Sequence, residues 1–304
     1  MTAIADLFPA DAPAGVDPVA HTAAVLAKAR SSFALGMRSL PAPRRNAMFA
    51  LYAFSRTIDD IADEPGARDD KLAALSAWRG EIDAVYDGHP RSLTGRALST
   101  PVERFGLPRE EFHLMIDGME MDVRGPVVAP PLATLFAYTR RVAGTVGCLS
   151  VRIFGAPDVP ERDPFALALA DAFQLTNILR DVETDAADGR LYLPAEMLAA
   201  HGVPPQPQAA ARHPSLTGVC RALGAVARER FAAARDHLGR LDKRLLRPAL
   251  MMMGVYEGYL DRMERHGFAR TPAALSMPAL EKVARSLRYG FALPERSKPA
   301  ATAH

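Results

Sequence analysis

The sequence predicts an all-α, single-domain protein, and three observations carry that expectation. Apolar residues recur at spacings of three and four, as in Met48, Leu51, Tyr52 and Ser55 or in Phe165, Leu169, Phe173 and Thr176, the period of a helix with one buried face. Alternating β-branched runs of the kind that make strands are scarce. Proline and glycine gather into clusters, and the stretches between them are rich in Ala, Leu, Met, Arg and Glu, mostly good helix formers. With 304 residues, 49% of them hydrophobic and 24% charged, the chain is long enough to bury a core of its own.

Taken in order, residues 1–18 read as a flexible N-terminal arm, with acidic residues and prolines and little periodicity. Pro41 and Pro43 open a helix, because proline is tolerated in a first turn whose N–H groups have no helical partner. Breaks follow at Gly88–Pro90, Gly125–Pro131 and Gly155–Pro164. The interruption Pro194–Pro214 is the longest and reads as a surface loop containing a short helical turn. The expected domain covers residues 19–290 with roughly eight to ten helices, and residues 291–304 read as a flexible tail.

Composition excludes several function classes. Basic residues number 37 and acidic residues 35, so there is no global electrostatic footprint for nucleic acid. Cys148 and Cys220 are too few for a disulfide framework and read as small core residues in a reducing compartment. The N-terminus lacks a basic segment before a long apolar run, which argues against a cleaved signal peptide. No apolar run reaches the ~18 residues of a membrane span. A cytoplasmic chain is expected, with contact at the membrane surface left open. Glu110-Glu111-Phe112-His113 is a lone ExxH and reads as a surface accident, and neither a zinc motif nor a nucleotide-binding glycine loop is present.

Two acidic motifs remain. On a helix, Tyr52, Arg56, Asp59 and Asp63 fall within about 60° of one another, with Asp60 and Glu64 forming a second pair beside them. Likewise Gln174, Asn177, Asp181 and Asp185 form a stripe about 80° wide, opposite Phe173, Leu175 and Leu179. Like charges four residues apart destabilise a helix by about 0.2–0.5 kcal/mol. Either motif alone could be a solvated face paired to Arg56 or Arg180. Two in one chain point to a shared cation, since facing carboxylates otherwise repel and take up protons. Magnesium suits oxygen ligands and is commonly shared between carboxylates and substrate phosphates. Arginines supply bidentate contacts to the same phosphates. The chemistry that fits is departure of a diphosphate.

At these residues the sequence resembles the squalene/phytoene synthase family, over about Ser31 to Phe268. Four blocks carry the likeness: Ser31-Ser32-Phe33, the Tyr52–Glu64 motif, Arg141-Val142-Ala143-Gly144-Thr145-Val146-Gly147, and Gln174–Asp185 running on into Gly189-Arg190-Leu191-Tyr192-Leu193-Pro194. The resemblance implies an isoprenoid synthase helical bundle around a central cavity, and a prenyltransferase that joins two allylic diphosphates head to head with Mg2+. It implies that Asp59 and Asp63 form one metal-binding pair and Asp181 and Asp185 the other. Ser32, Phe33, Tyr52, Arg56, Val142, Ala143, Gln174, Asn177 and Arg180 become the expected substrate contacts. Tyr138 matches a tyrosine implicated in catalysis, beside Arg56, Asp59 and Asp63, and Tyr256 a further tyrosine near the pocket. The glycines of the third block admit close approach of another helix, of a prenyl chain, or of both.

Within the family the residues 31–54, Ile116–Val123 and Val146–Ala156 most resemble the bacterial hopanoid-pathway branch, whose members convert two farnesyl diphosphates to presqualene diphosphate. The sequence departs from that pattern after Asp122, where Val123–Pro131 lacks an Arg-Tyr pair. The expected substrate is therefore farnesyl diphosphate, with no need of NADPH, with downstream squalene-forming enzymes as partners and the inner membrane face as the place of product release. A phytoene, dehydrosqualene or complete squalene synthase is the nearest alternative, and a non-catalytic helical assembly factor a distant one.

Overall fold

The computed structural model describes residues 4–13, 15–28, 37–38 and 40–292. Ser32, Phe33 and residues 293–304 lie outside them. The described residues form the helices α1 (Pro18–Lys28), α2 (Ala42–Asp63), α3 (Arg68–Tyr86), α4 (Leu93–Phe105), α5 (Arg109–Arg124), α6 (Leu132–Thr139) and α7 (Thr145–Ile153). They continue with α8 (Arg162–Ala187), α9 (Ala195–Ala200), α10 (Pro207–Ala211), α11 (Leu216–Leu238), α12 (Arg247–Arg265), α13 (Pro272–Leu275) and α14 (Ala279–Phe291). No strand occurs among the described residues, and β pairing is confined to an isolated bridge between Val128 and Leu191.

The longest helices are those with the strongest periodic pattern. Pro43 stands in the first turn of α2, where its missing N–H costs nothing, and Pro41 caps it from outside. Phe54 of α2 packs edge-on against Trp78 of α3 and Phe112 of α5, with ring centroids 5.9 and 5.4 Å apart, joining three helices at one point. The 26-residue α8 packs against α7, α11 and α12, so its apolar residues face several neighbours at once. Nearly all buried apolar residues belong to one continuous core. Cys148 and Cys220 are both buried and unbridged.

Two stretches differ from the sequence-based expectation. Part of the N-terminal arm is docked: residues Ile4–Leu7 form a 3-10 turn, Ile4 and Leu7 are buried, and Trp78 Nε1 donates to the Leu7 carbonyl at 2.7 Å. Residues 194–214 contain two short helices, α9 and α10, held down by buried Leu198, Val203 and Ala210. These single anchors are too sparse to produce a periodic signal. Among the described residues no helix is long and apolar enough to cross a membrane.

Candidate active site

Helices α2 and α8 both run from an apolar N-terminal half to an acidic C-terminal end, and a cavity of about 460 Å3 lies between them. Tyr52, Ser55 and Asp59 of α2 line it together with Gln174 and Asn177 of α8. Further along the same helices the lining becomes Met48 and Leu51 on one side and Phe165, Ala166 and Leu169 on the other. From Met48 to Asp59 is ~16 Å at 1.5 Å per residue, so the space is a long slot, oxygen-rich at one end and apolar at the other. Phe173, expected on the face opposite Gln174 and Asn177, instead stacks with Tyr256 in the cavity wall, ring centroids 4.3 Å apart, because at 100° per residue it stands only about 40° from Asn177.

The third wall is the glycine block. Residues Arg140–Gly144 form a turn of π-helix between α6 and α7, and Val142, Ala143, Val146 and Gly147 face the cavity. Such a turn redirects side chains that a regular helix would carry away, and it is frequent at functional sites. A Cβ on Gly147 would stand 3.0 Å from the carbonyl oxygen of Ala166, so α7 and α8 are in backbone contact there. Gly147 thus serves helix packing and leaves room in the cavity as well.

The acidic end gathers more residues than the two motifs. Asp63 is the last residue of α2 and accepts from Arg190 Nη2 at 2.8 Å. Arg190 lies in the loop after α8 and also acts electrostatically on Asp122 and Asp185, so this one cation sits among carboxylates of α2, α5 and α8. Burial pushes Asp59 up to about 6, with Asp63 the next cause and Arg56 partly offsetting it. Asp185 rises to about 6 through burial and then Asp181. Asp122 also rises to about 6, mainly by burial, against the lowering effect of the Tyr138 hydroxyl. Neither α2 nor α8 has a basic residue in its last turn, so these carboxylates crowd the negative ends of two helix dipoles. The intrahelical pairs are also present: Arg56 meets Asp59 and Asp60, and Arg180 chelates both oxygens of Asp181 at 2.6 and 2.8 Å.

Tyr138 does not line the cavity. It is buried at the edge of the acidic cluster, where its hydroxyl donates to Asp122 Oδ2 at 3.0 Å and lies 3.3 Å from the Tyr192 hydroxyl. The two rings stack. Burial, with Asp122 beside it, holds the Tyr138 phenol well above its ordinary range, so it is neutral at physiological pH.

A divalent cation fits these groups. The donors are all oxygens, and Asp122 Oδ1 and Asn177 Oδ1 are buried without a hydrogen-bond partner. Among the described residues no three carboxylate, histidine or cysteine side chains stand close enough to hold a metal alone. The protein therefore offers carboxylate pairs, and oxygens of a bound ligand must complete the shell.

A sequence profile described as squalene/phytoene synthase matches residues 26–282. The chain belongs to that family. It is 42% identical over 278 residues to the presqualene diphosphate synthase of Rhodopseudomonas palustris, covering 90% of this chain and 97% of that one. It is 44% identical over 242 residues to the presqualene diphosphate synthase of Zymomonas mobilis, covering 78% and 81%. A crystal structure of a squalene synthase from Alicyclobacillus acidocaldarius superposes with a TM-score of 0.76 at 25% identity, over 84% of this chain and 95% of that one. The all-α isoprenoid synthase fold and a prenyltransferase type of enzyme follow.

Tyr52, Asp59, Val142, Ala143, Gln174, Asn177 and Tyr256 share the cavity. Arg56, Asp63, Arg180, Asp181 and Asp185 stand around its acidic end without lining it. Asp122, Arg190 and Tyr192 were not among the residues singled out from sequence. Each lay in a stretch that carried the family likeness, but their roles depend on a loop crossing that spacing along the chain does not encode. Residues 127–130 are tied to 191–195 by Ala129 N to Leu191 O at 2.7 Å, Leu191 N to Val127 O at 2.8 Å and Ala195 N to Pro130 O at 3.0 Å, and this crossing sets Arg190 and Tyr192 over the site.

Proposed function

We propose that the chain joins two farnesyl diphosphates head to head, giving presqualene diphosphate and inorganic diphosphate. One observation carries the reading: a slot that is apolar along its length and closes on an oxygen-rich, cation-seeking end, as a prenyl diphosphate requires. The relatives named presqualene diphosphate synthase support the choice within the family.

Asp59 and Asp63 on α2 and Asp181 and Asp185 on α8 would hold Mg2+, with Asn177 beside them. Bound there, Mg2+ supplies the positive charge that stabilises a departing diphosphate. Arg56 and Arg180 stand at the same end and hold diphosphate oxygens by charge-assisted hydrogen bonds. Ser32 and Phe33, five and four residues before the cavity residue Met37 in sequence, are proposed as contacts to the second substrate. The donor's C1–O bond breaks to an allylic cation, and the acceptor's double bond attacks C1. Loss of a proton then closes the cyclopropane. The aromatic pair Phe173 and Tyr256 lies in the wall of the slot, and the apolar lining keeps water from quenching the cation.

Tyr138 is the proposed proton relay. Held neutral and hydrogen-bonded to Asp122, it passes a proton on to that carboxylate, with released diphosphate as the competing acceptor. The reaction stops at the cyclopropyl diphosphate, so NADPH is not used, and a squalene-forming enzyme takes the product. The site of action is the cytoplasmic face of the membrane.

The test is incubation of the pure protein with farnesyl or geranylgeranyl diphosphate and Mg2+, with and without NADPH, and identification of the lipid. Presqualene diphosphate accumulating even with NADPH supports the reading. Squalene or phytoene would overturn it in favour of another activity of the family.

A further inference from the structure

The last helix turns an apolar stripe to solvent. In α14 Leu280, Val283, Leu287 and Phe291 are 85, 43, 47 and 67% exposed. At 100° per residue they occupy an arc of about 80°. The helix is firmly seated in this orientation. The flank next to that arc buries Ser286, Tyr289 and Gly290 against α12, where a Cβ on Gly254 would meet the Tyr289 ring and the Arg285 carbonyl, and the Tyr289 hydroxyl donates to Glu257. The remaining large exposed apolar side chains among the described residues are Phe8, Val16 and Val19 near the N-terminus and Val128, none of them on α14.

Arg288 is exposed on α14 itself beside the stripe, and Lys243 and Arg244 are exposed in the turn before α12, three to four residues ahead of Arg247 in the chain. The Arg247 guanidinium lies over the Phe291 ring, 4.4 Å from its centre. Of the nearby acids, Glu281 is engaged by Arg262 and Arg285, and Asp242 accepts from the Arg244 amide. Continuity with the active-site cavity is the second observation. Arg247 and Met251 of α12 pack under Gly290, while Pro248, Ala249 and Met252 of the same turns line the cavity wall. One helix thickness separates the stripe from the prenyl slot.

We propose that this face of α14 is a docking surface for a bilayer containing anionic lipid, the apolar stripe entering the interface and the basic border meeting headgroup phosphates. A second copy of the chain is the poorer occupant, because a two-fold contact would set the cationic borders against each other. Docking this way lays the cavity wall beside the membrane, the phase into which a product with two farnesyl chains partitions. That purpose rests on the proposed function, whereas docking itself is decided by lipid binding alone, so each can fail without the other.

The full chain is sedimented with phosphatidylcholine vesicles with and without phosphatidylglycerol, beside a Leu280→Glu/Leu287→Glu variant and an Arg244→Gln/Arg288→Gln variant. Their helical CD and Tm confirm folding, and Leu287→Ser replaces the first variant if it does not fold. The wild type is expected to bind the anionic vesicles, the apolar-face variant about tenfold or more weakly. The arginine variant is expected to lose the preference for phosphatidylglycerol, with turnover in detergent unchanged in both. No binding by the wild type, equal binding by the apolar-face variant, or equal binding to neutral vesicles would overturn the proposal. So would a dimer that the variant dissociates without any vesicle binding.

Discussion

Arg190 reaches from the loop behind α8 to Asp63, the last residue of α2, with Nη2 and Oδ1 2.8 Å apart. The pair ties together the ends of the two helices that carry the acidic motifs. It also places a protein cation where the proposed chemistry needs a metal. Asp63 is half exposed, so the pair itself contributes at most about 1 kcal/mol. Its larger effect is to offset repulsion among Asp63, Asp122 and Asp185.

Replacing Arg190 by Gln should therefore act in two opposite directions. The metal-free protein loses its counter-charge and melts at a lower temperature. The vacated carboxylates then bind Mn2+ or Mg2+ several-fold more tightly, because a competing cation has gone. Calorimetric titration with Mn2+ alone checks this, and weaker metal binding in the variant would contradict it.

Asp59→Asn and Asp181→Asn each remove one charge from a proposed metal pair. Both should abolish turnover while leaving the helical CD signal intact. Asp59 opens onto the cavity between the slot walls and Asp181 is more than a third exposed, so neither change disturbs the packed core. Full activity in either variant would remove that residue from the metal site.

The raised carboxylates predict how stability follows pH. Asp59, Asp122 and Asp185 hold their protons up to about 6, against 3.8 for the ordinary side chain. Between those values the folded state binds more protons than the unfolded one, so stability falls as pH rises, and the full penalty stands above about 6. Asp60 and Asp171 shift the same way through burial. His21, lowered by burial, opposes them only near its own range. The chelator-treated protein should melt higher at about pH 5.5 than at pH 7.5. Added Mg2+ should raise Tm more at the higher pH, where its ligands are ionised. An equal Mg2+ shift at both values would separate these carboxylates from metal binding.

The parts of the protein legible in its sequence are those written in helical period. The long helices α2 and α8, and the stripes that carry Asp59 on one and Gln174 and Asn177 on the other, follow from residues one turn apart on a single element. Residues 4–7 and 194–214 were harder to read because one or two buried anchors leave no period. Arg190, Asp122 and Tyr192 escaped for a different reason. Their meeting depends on backbone hydrogen bonds between residues 127–130 and 191–195, a crossing of two irregular segments that no local pattern announces. The outward stripe of α14 was open to the same periodic reading, but period alone does not tell which face a helix buries.

Chain-length selection should reside at the apolar end of the slot. Phe154 and Phe165 both line the cavity there, far from Asp59, and are 5 and 0% exposed. Phe154 ends the wall that starts at Val142, and Gly155 beside it abuts Arg44 in the first turn of α2, the end of α2 remote from the acidic cluster. Phe154→Ala should lengthen the slot and let geranylgeranyl diphosphate compete with farnesyl diphosphate. Truncating a buried phenylalanine costs about 3–5 kcal/mol, and less where one face already borders empty space. Phe112→Ala is the control: Phe112 is fully buried against Phe54 and does not line the cavity. It should lose at least as much stability and keep the wild-type preference. Product analysis with an equimolar mixture of the two substrates, beside a denaturant melt of both variants, separates the outcomes. A preference unchanged in Phe154→Ala, or changed equally in Phe112→Ala, would place the chain-length stop elsewhere.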